Sequence, residues 1–192
     1  MNRQLISEAK EYIKKLFEGH SDGHDAEHSL RVFSNAMKIA EAEGGCDIEV
    51  VALAALLHDC DDHKLFDTKD NANARAFLES HGITGDKADQ ICNEVNSVSF
   101  SQNRGKKPDT IEGKIVQDAD RLDAMGAIGI ARTFAYGGKK GRPLEDGIKH
   151  FHEKLLLLKD ELNTDTAKDM AEERHRFLEE YIRHYESENT IE

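Results

Sequence analysis

Residues 50–59 read Val50-Val51-Ala52-Leu53-Ala54-Ala55-Leu56-Leu57-His58-Asp59. Eight apolar residues in a row leave no face for water, so the segment reads as a helix buried on all sides. Asp47 lies just upstream and is a plausible N-cap. A polar pair closing such a run needs a reason, because buried polar groups are costly unless satisfied. His58 near a helix C-terminus interacts favourably with the dipole, which accounts for it tolerably. Asp59 is poorly explained that way, since a carboxylate is disfavoured at that end. A bound cation would account for both.

The flanking sequence is helical almost throughout. Leu5, Ile6, Ala9, Ile13 and Phe17 keep helical spacing over residues 2–19. A second helix is predicted over 25–43, ended by Gly44-Gly45. Helices are expected at about 69–81, closed by Gly82, and at about 84–96, opened by Thr84. Residues 97–109 read as a loop. Asp109 followed by Glu112 looks like a capping box for the helix holding Asp118, Asp120 and Asp123. Small residues over 124–131 allow close helix approach, and residues 137–143 form a second loop. Helices at about 144–162 and 164–187, with Thr164 as the cap between them, finish the chain before a frayed acidic tail. The stripe Phe177, Leu178, Tyr181, Ile182 and Tyr185 on the last helix suits either a cap over the site or a homodimer face. No repeat or convincing linker interrupts the pattern. The fold class is all-α, and the length suits a single domain over 1–192.

Composition agrees. The 192 residues include only 2 Pro and no Trp, with 38% hydrophobic and 33% charged side chains. The net charge of −12 disfavours nucleic acid and anionic membranes as partners. It permits a small anion where local cations or a metal supply the attraction. Cys46, Cys60 and Cys92 are odd in number and form no C-x-x-C pair, so a disulfide framework is not expected. With no apolar leader and no membrane-length apolar stretch, the expected location is cytoplasmic.

His28, in Asp25-Ala26-Glu27-His28-Ser29-Leu30-Arg31-Val32, joins His58 and Asp59 as a candidate ligand. Taken singly, each has an ordinary reading as a core histidine, a helix end or a solvated acidic face. Two imidazoles with carboxylates make a mixed N/O set suited to a first-row divalent ion. Asp118 and Asp120 compete to complete it, and they lie on different faces of their helix. Asp123 lies near Asp120 on the helix surface, where it can orient a ligand.

The order H…HD…D, with Ala119-Asp120-Arg121-Leu122 as its last element, resembles that of the HD-domain phosphohydrolases. Residues 25–32, 53–64, 115–134 and 153–168 look like a small bacterial subfamily that includes nucleotide pyrophosphohydrolases. The similarity spans about residues 20–185. It implies an HD core over about 20–135 and a helical extension over about 144–187. It also implies His28, His58, Asp59 and Asp120 as ligands of one divalent metal ion, Mn²⁺ favoured over Co²⁺, Fe²⁺ or Mg²⁺. Asp62 matches the acidic position that handles the proton or orients the attacking water, with Asp61 as its rival. Glu27 can orient His28 or simply face solvent. Arg31, one turn after His28, and Lys64 are candidate cations at the site. Arg104, Lys106 and Lys107 are candidate phosphate-binding residues on a Gly-containing loop. Lys139, Lys140 and Arg142 form a second basic island that solubility alone would explain.

The implied activity is hydrolysis of a small phosphorylated compound, most simply a nucleoside triphosphate to monophosphate and pyrophosphate. A phosphatase or phosphodiesterase would use the same ligands. A non-catalytic module binding metal or nucleotide is the alternative from outside enzymology, and the intact ligand set with Asp62 counts against it. No G-x-x-x-x-G-K-[ST], H-E-x-x-H or G-x-S-x-G motif occurs, which removes P-loop NTPases, zincin proteases and serine hydrolases.

Overall fold

The computed structural model describes residues 1–19, 25–63 and 65–189, apart from the Ser101 side chain. It is helical throughout with no strand among the described residues, and it is all-α as the sequence implies. The 50–57 run forms α3 (Ile48–Leu57), with every side chain from Val50 to Leu57 buried. It can be apolar all round because helices surround it. It packs against α1 (Arg3–Leu16), α2 (Ala26–Glu43), α5 (Gly85–Val98) and α7 (Ile111–Asp123). Asp47 caps it, accepting from the Glu49 and Val50 backbone N–H groups at 3.0 and 3.2 Å. Each such cap contributes ~1 kcal/mol.

Two start signals differ from the sequence reading. Thr110, not Asp109, caps α7, its hydroxyl accepting from Gly113 N–H at 3.0 Å. Glu112 does not reach back in a capping box. It accepts the Asp47 N–H at 2.7 Å and so ties the start of α7 to the start of α3. The 97–109 segment also contains a short helical turn, α6 (Phe100–Asn103).

The helix expected at 144–162 is two pieces, α9 (Leu144–Glu153) and a 3-10 helix over Leu155–Glu161. Lys154, with φ −138° and ψ −60°, breaks the path between them. Leu155 and Leu158 are buried while Leu157 is 40% exposed. That spacing of three matches the 3-10 period rather than 3.6.

α4 (Ala72–Ser80), α8 (Gly126–Lys139) and α10 (Asp165–Glu188) complete the chain. Gly126 adopts φ +67°, a left-handed turn that lets α8 start immediately after α7. α10 packs on α8, α7 and α2. Its stripe splits: Leu178 and Ile182 are buried, whereas Phe177 is 47% exposed.

The attachment of α10 to α7 is polar and specific. Asp118 accepts the backbone N–H groups of Asn163 and Thr164 at 2.9 and 2.8 Å, with the Thr164 hydroxyl at 2.8 Å. Arg121 reaches Glu161 at 3.3 Å, and Arg174 donates to the Leu122 carbonyl. α7 therefore presents Asp118 and Arg121 toward the C-terminal elements and Asp120 toward α2. No helix among the described residues is long and apolar enough to cross a membrane.

Candidate metal centre

Four donors from three helices converge. His28 comes from a buried position in the first turn of α2, His58 and Asp59 from the end of α3, and Asp120 from α7. The two Nε2 atoms lie 3.2 Å apart. Asp120 Oδ1 is 3.3 Å from His28 Nε2 and 3.8 Å from His58 Nε2. One donor atom each from His28, His58 and Asp120 lies within 4.8 Å of the other two. Asp59 joins from the side, with Oδ2 3.5 Å from His28 Nε2 and Oδ1 3.4 Å from His58 Nε2.

The protons on the two rings are set from behind. His58 Nδ1 donates to the Ala55 carbonyl at 2.9 Å. His28 Nδ1 lies 2.7 Å from Asp123 Oδ2, and an ionised carboxylate can only accept. Both Nε2 atoms are then bare lone pairs, and they face each other beside two carboxylates. Four acceptors with no donor among them repel one another unless a cation or a proton sits between. The donor set therefore fits a divalent ion, with nitrogen and oxygen ligands in the mix that Mn²⁺, Fe²⁺ or Co²⁺ accept. Without a cation the protein supplies a proton instead. Burial opposes the charged form of His28, but hydrogen bonds to Asp120 and Asp123 outweigh it and push His28 up to about 9. Burial likewise works against Asp120, and the His28 hydrogen bond overrides it and lowers that carboxyl.

Asp123 is the supporting residue. Its buried carboxylate also accepts Arg31 Nε at 2.7 Å, Arg31 Nη2 at 3.1 Å and Arg132 Nη1 at 2.7 Å. Burial would raise its pKa, but His28, Arg31 and Arg132 together hold it far below the usual carboxylate range. The sequence placed Asp123 beside Asp120; the structure turns it to His28. Arg31, expected to meet substrate, instead gives its guanidinium to Asp123. Asp118, the rival ligand, faces the α10 cap and takes no part in the cluster.

The donors line a cavity of about 630 Å³ bounded by residues 59–63 and 68–71, α5–α6, α8 and α9. Asp62 faces this cavity with His63 Nδ1 3.6 Å from its Oδ1. Asp61 has another duty: its two oxygens accept the Asn73 and Ala74 N–H groups at 3.0 and 3.1 Å, fixing the start of α4. Lys64 lies outside the described residues. Lys106 and Lys107 do not reach the cavity of the four donors, because they line a separate one of about 620 Å³ with Asp86, Glu94 and Asp109. Arg104 stacks at 5.8 Å on Phe100, a wall residue, without lining the cavity itself. Among the described residues, the lysines and arginines that line it are Lys69, Arg132, Arg142 and Lys154, and His150 lines it with them. Of these, Arg142 belongs to the basic island that solubility alone would explain, and Arg132 pairs with Asp123. Lys69 and His150 lie outside the stretches that carry the resemblance. Lys154 lies inside the 153–168 stretch without a role assigned to it, and the folding of α9 against α8 brings His150 and Lys154 to the cavity.

A family model for the HD domain matches residues 25–125, the span containing all four donors and Asp123. YpgQ of Bacillus subtilis is 42% identical over 186 residues, covering 92% of this chain and 90% of that protein. The crystal structure of Bacillus subtilis YpgQ in complex with ADP superposes with a TM-score of 0.80 at 39% identity, covering 96% of this chain and 97% of that one. The crystal structure of an HD-superfamily hydrolase from Bacillus thuringiensis gives a TM-score of 0.79 at 39% identity, covering 97% of each chain. The sequence match over more than half the chain and the structural match over nearly all of it agree: the chain belongs to the HD-domain family and has the HD-superfamily hydrolase fold.

Proposed function

We propose that the chain is a metal-dependent phosphohydrolase acting on nucleotides, and specifically a pyrophosphohydrolase that converts a nucleoside triphosphate to the monophosphate and pyrophosphate. The observation that carries this reading is the acceptor-only cluster of His28, His58, Asp59 and Asp120 in the wall of a nucleotide-sized cavity that also presents cations. The ADP complex of YpgQ supports a nucleotide as occupant.

A divalent ion held by the four side chains would polarise a phosphoryl oxygen and lower the pKa of bound water. The chain supplies the rest. Asp123 and the Ala55 carbonyl hold both rings with Nε2 forward, so the donors do not reorganise when the ion enters. Asp62 takes the proton of the water that attacks the α-phosphorus. The new P–O bond forms as the bond to the αβ-bridging oxygen breaks, and pyrophosphate leaves. Arg132, anchored on Asp123, places positive charge beside the reacting phosphate.

The test is hydrolysis across a nucleotide panel by metal-stripped protein given Mn²⁺, Co²⁺ or Mg²⁺, scoring pyrophosphate and orthophosphate separately. Pyrophosphate from triphosphates, lost in His58→Ala, is the expected result. Orthophosphate from monophosphates would replace the reaction while keeping the site. Metal binding at the four residues with no turnover would remove the enzyme reading.

A further inference from the structure

Asp120 and Asp123 sit near the C-terminal end of α7, and two side chains that do not line the cavity hold the backbone there. Asn35, buried on α2, donates from Nδ2 to the Ala119 carbonyl at 3.4 Å. Arg174, half-buried on α10, donates from Nη1 to the Leu122 carbonyl at 2.5 Å and from Nη2 to Asn35 Oδ1 at 3.1 Å. Ala119 and Leu122 bracket Asp120, and Asp123 follows directly. The three hydrogen bonds form one relay that joins α10, α2 and α7.

The relay is firmly seated. Leu122 is among the last four residues of α7, whose carbonyls lack the regular partner one turn on, so a guanidinium there meets an open acceptor at the negative end of the helix. The stem of Arg174 is fixed as well: a Cβ at Gly126 would meet its Cβ and Cγ at 3.2 Å, so the start of α8 closes against it. Asn35 lies two turns after His28 on α2. The relay therefore ties together the two helices whose side chains meet at the site, with His28 Nε2 3.3 Å from Asp120 Oδ1 and His28 Nδ1 2.7 Å from Asp123 Oδ2. Apolar packing sets the spacing of α2 and α7, but it is non-directional. Ligands must be held to within about 0.5 Å, which calls for directional contacts.

We propose that Asn35 and Arg174 are positioning residues of the metal centre, which set the register of α7 against α2 so that Asp120 and Asp123 meet His28. Arg174 lies beyond residues 25–125, so part of the C-terminal extension works as a component of the site. The consequence for ion binding rests on the metal reading of the four donors, but the positioning itself does not.

Charge and register act on a bound ion with opposite signs. Arg174 is a cation within electrostatic reach of Asp123. Removing it would, by charge alone, tighten Mn²⁺ binding, whereas losing the register weakens it. Mn²⁺ is titrated into the metal-stripped full chain well below the Tm of every variant. Arg174→Met, which keeps an apolar stem against Gly126, and Asn35→Ala should each bind Mn²⁺ about tenfold more weakly than wild type. The double variant should be no weaker than the worse single one, as one relay requires. Arg174→Lys keeps the charge and loses the fork, so it should weaken binding by a smaller factor, and it carries the test if Arg174→Met does not fold. At fixed pH the ring-nitrogen NMR signals of His28 should shift in both single variants, with those of His81 at the end of α4 unmoved. A lower Tm with Mn²⁺ affinity within about twofold of wild type, or tighter binding in Arg174→Met, would overturn the positioning role and leave the relay a brace for the fold. If wild type binds no Mn²⁺, the metal reading fails alone and the His28 signals decide: shifted, they establish the positioning; unmoved, they overturn it.

Discussion

At the scale of single residues, the two histidines look equivalent in sequence and are not equivalent in the structure. His58 leans on a backbone carbonyl, whereas His28 leans on a buried carboxylate fixed by two guanidiniums. A carboxylate behind an imidazole raises its basicity and strengthens it as a ligand. Asp123→Asn should therefore weaken Mn²⁺ binding by ~10–100-fold in a titration of stripped protein, and its Tm should fall because Arg31 and Arg132 lose their counter-charge. Unchanged metal affinity would show that Asp123 is only packing. The neighbouring aspartates give a sharper contrast. Asp61 and Asp62 both line the cavity, but Asp61 gives its two oxygens to α4 N–H groups. Asn retains a cap acceptor but not a base, so Asp61→Asn should keep most activity, while Asp62→Asn should lose ~10²–10⁴-fold in kcat. The reverse ranking in a metal-saturated assay would exchange their roles. Sequence could nominate His28, His58, Asp59 and Asp120 because motif order survives without coordinates. It could not show Asp123 behind His28, 95 residues away, nor that Arg31 serves Asp123 rather than phosphate.

At the scale of elements, helices were legible wherever an apolar period was strong, as in α2 and α3, and the misreadings have local physical causes. The four leucines 155–158 continue an apolar helix on paper, but burial of Leu155 and Leu158 selects a period of three and the chain tightens at Lys154. Thr110 displaced Asp109 as the cap of α7 partly because its hydroxyl is also used elsewhere, donating to Glu94 on α5 at 2.7 Å. That contact makes Glu94 informative about the α5–α7 packing. Burial raises its pKa above the ordinary 4.5, and the Thr110 hydrogen bond only partly offsets this. A raised pKa means that the folded chain binds more protons than the unfolded chain above pH 4.5. Stability from this group is thus fully present below about 4.5 and falls as pH rises through the folded value. Glu94→Gln keeps an acceptor for Thr110 and removes the buried charge. Its Tm should exceed wild type by a few degrees, roughly 2–4 °C per kcal/mol, at pH 8 and converge on wild type near pH 4. A variant less stable than wild type at pH 8 would mean that the carboxylate has a stabilising partner in the folded chain.

At the scale of the whole molecule, the donors come from helices far apart in sequence, so whatever binds them braces the fold. α2, α3 and α7 are packed against one another, and their polar ends meet at a cluster where four acceptors converge. α7 in turn holds the C-terminal elements through Asp118 and Arg121. An ion bound there contacts three helices of the native chain, and no unfolded chain presents that set. Binding to the native state alone stabilises by about 2.7 kcal/mol when free ion is 100-fold above Kd. For a chain of this size that corresponds to roughly 5–10 °C in Tm. Calorimetry of stripped protein with Mn²⁺, against the same protein with chelator, should show a rise of that order. Sodium chloride at matched ionic strength should not reproduce it, because screening a net charge of −12 acts on the surface. Asp120→Ala should lose the rise while keeping the fold, since Asp120 lines the cavity and the hydrogen bonds that anchor Asn163 and Thr164 are made by Asp118. Equal Tm with metal and with chelator, to within about 1 °C, would mean that a proton on His28 is all the cluster needs. The metal reading of the four donors would then fall, and the hydrolase mechanism built on it would fall as well.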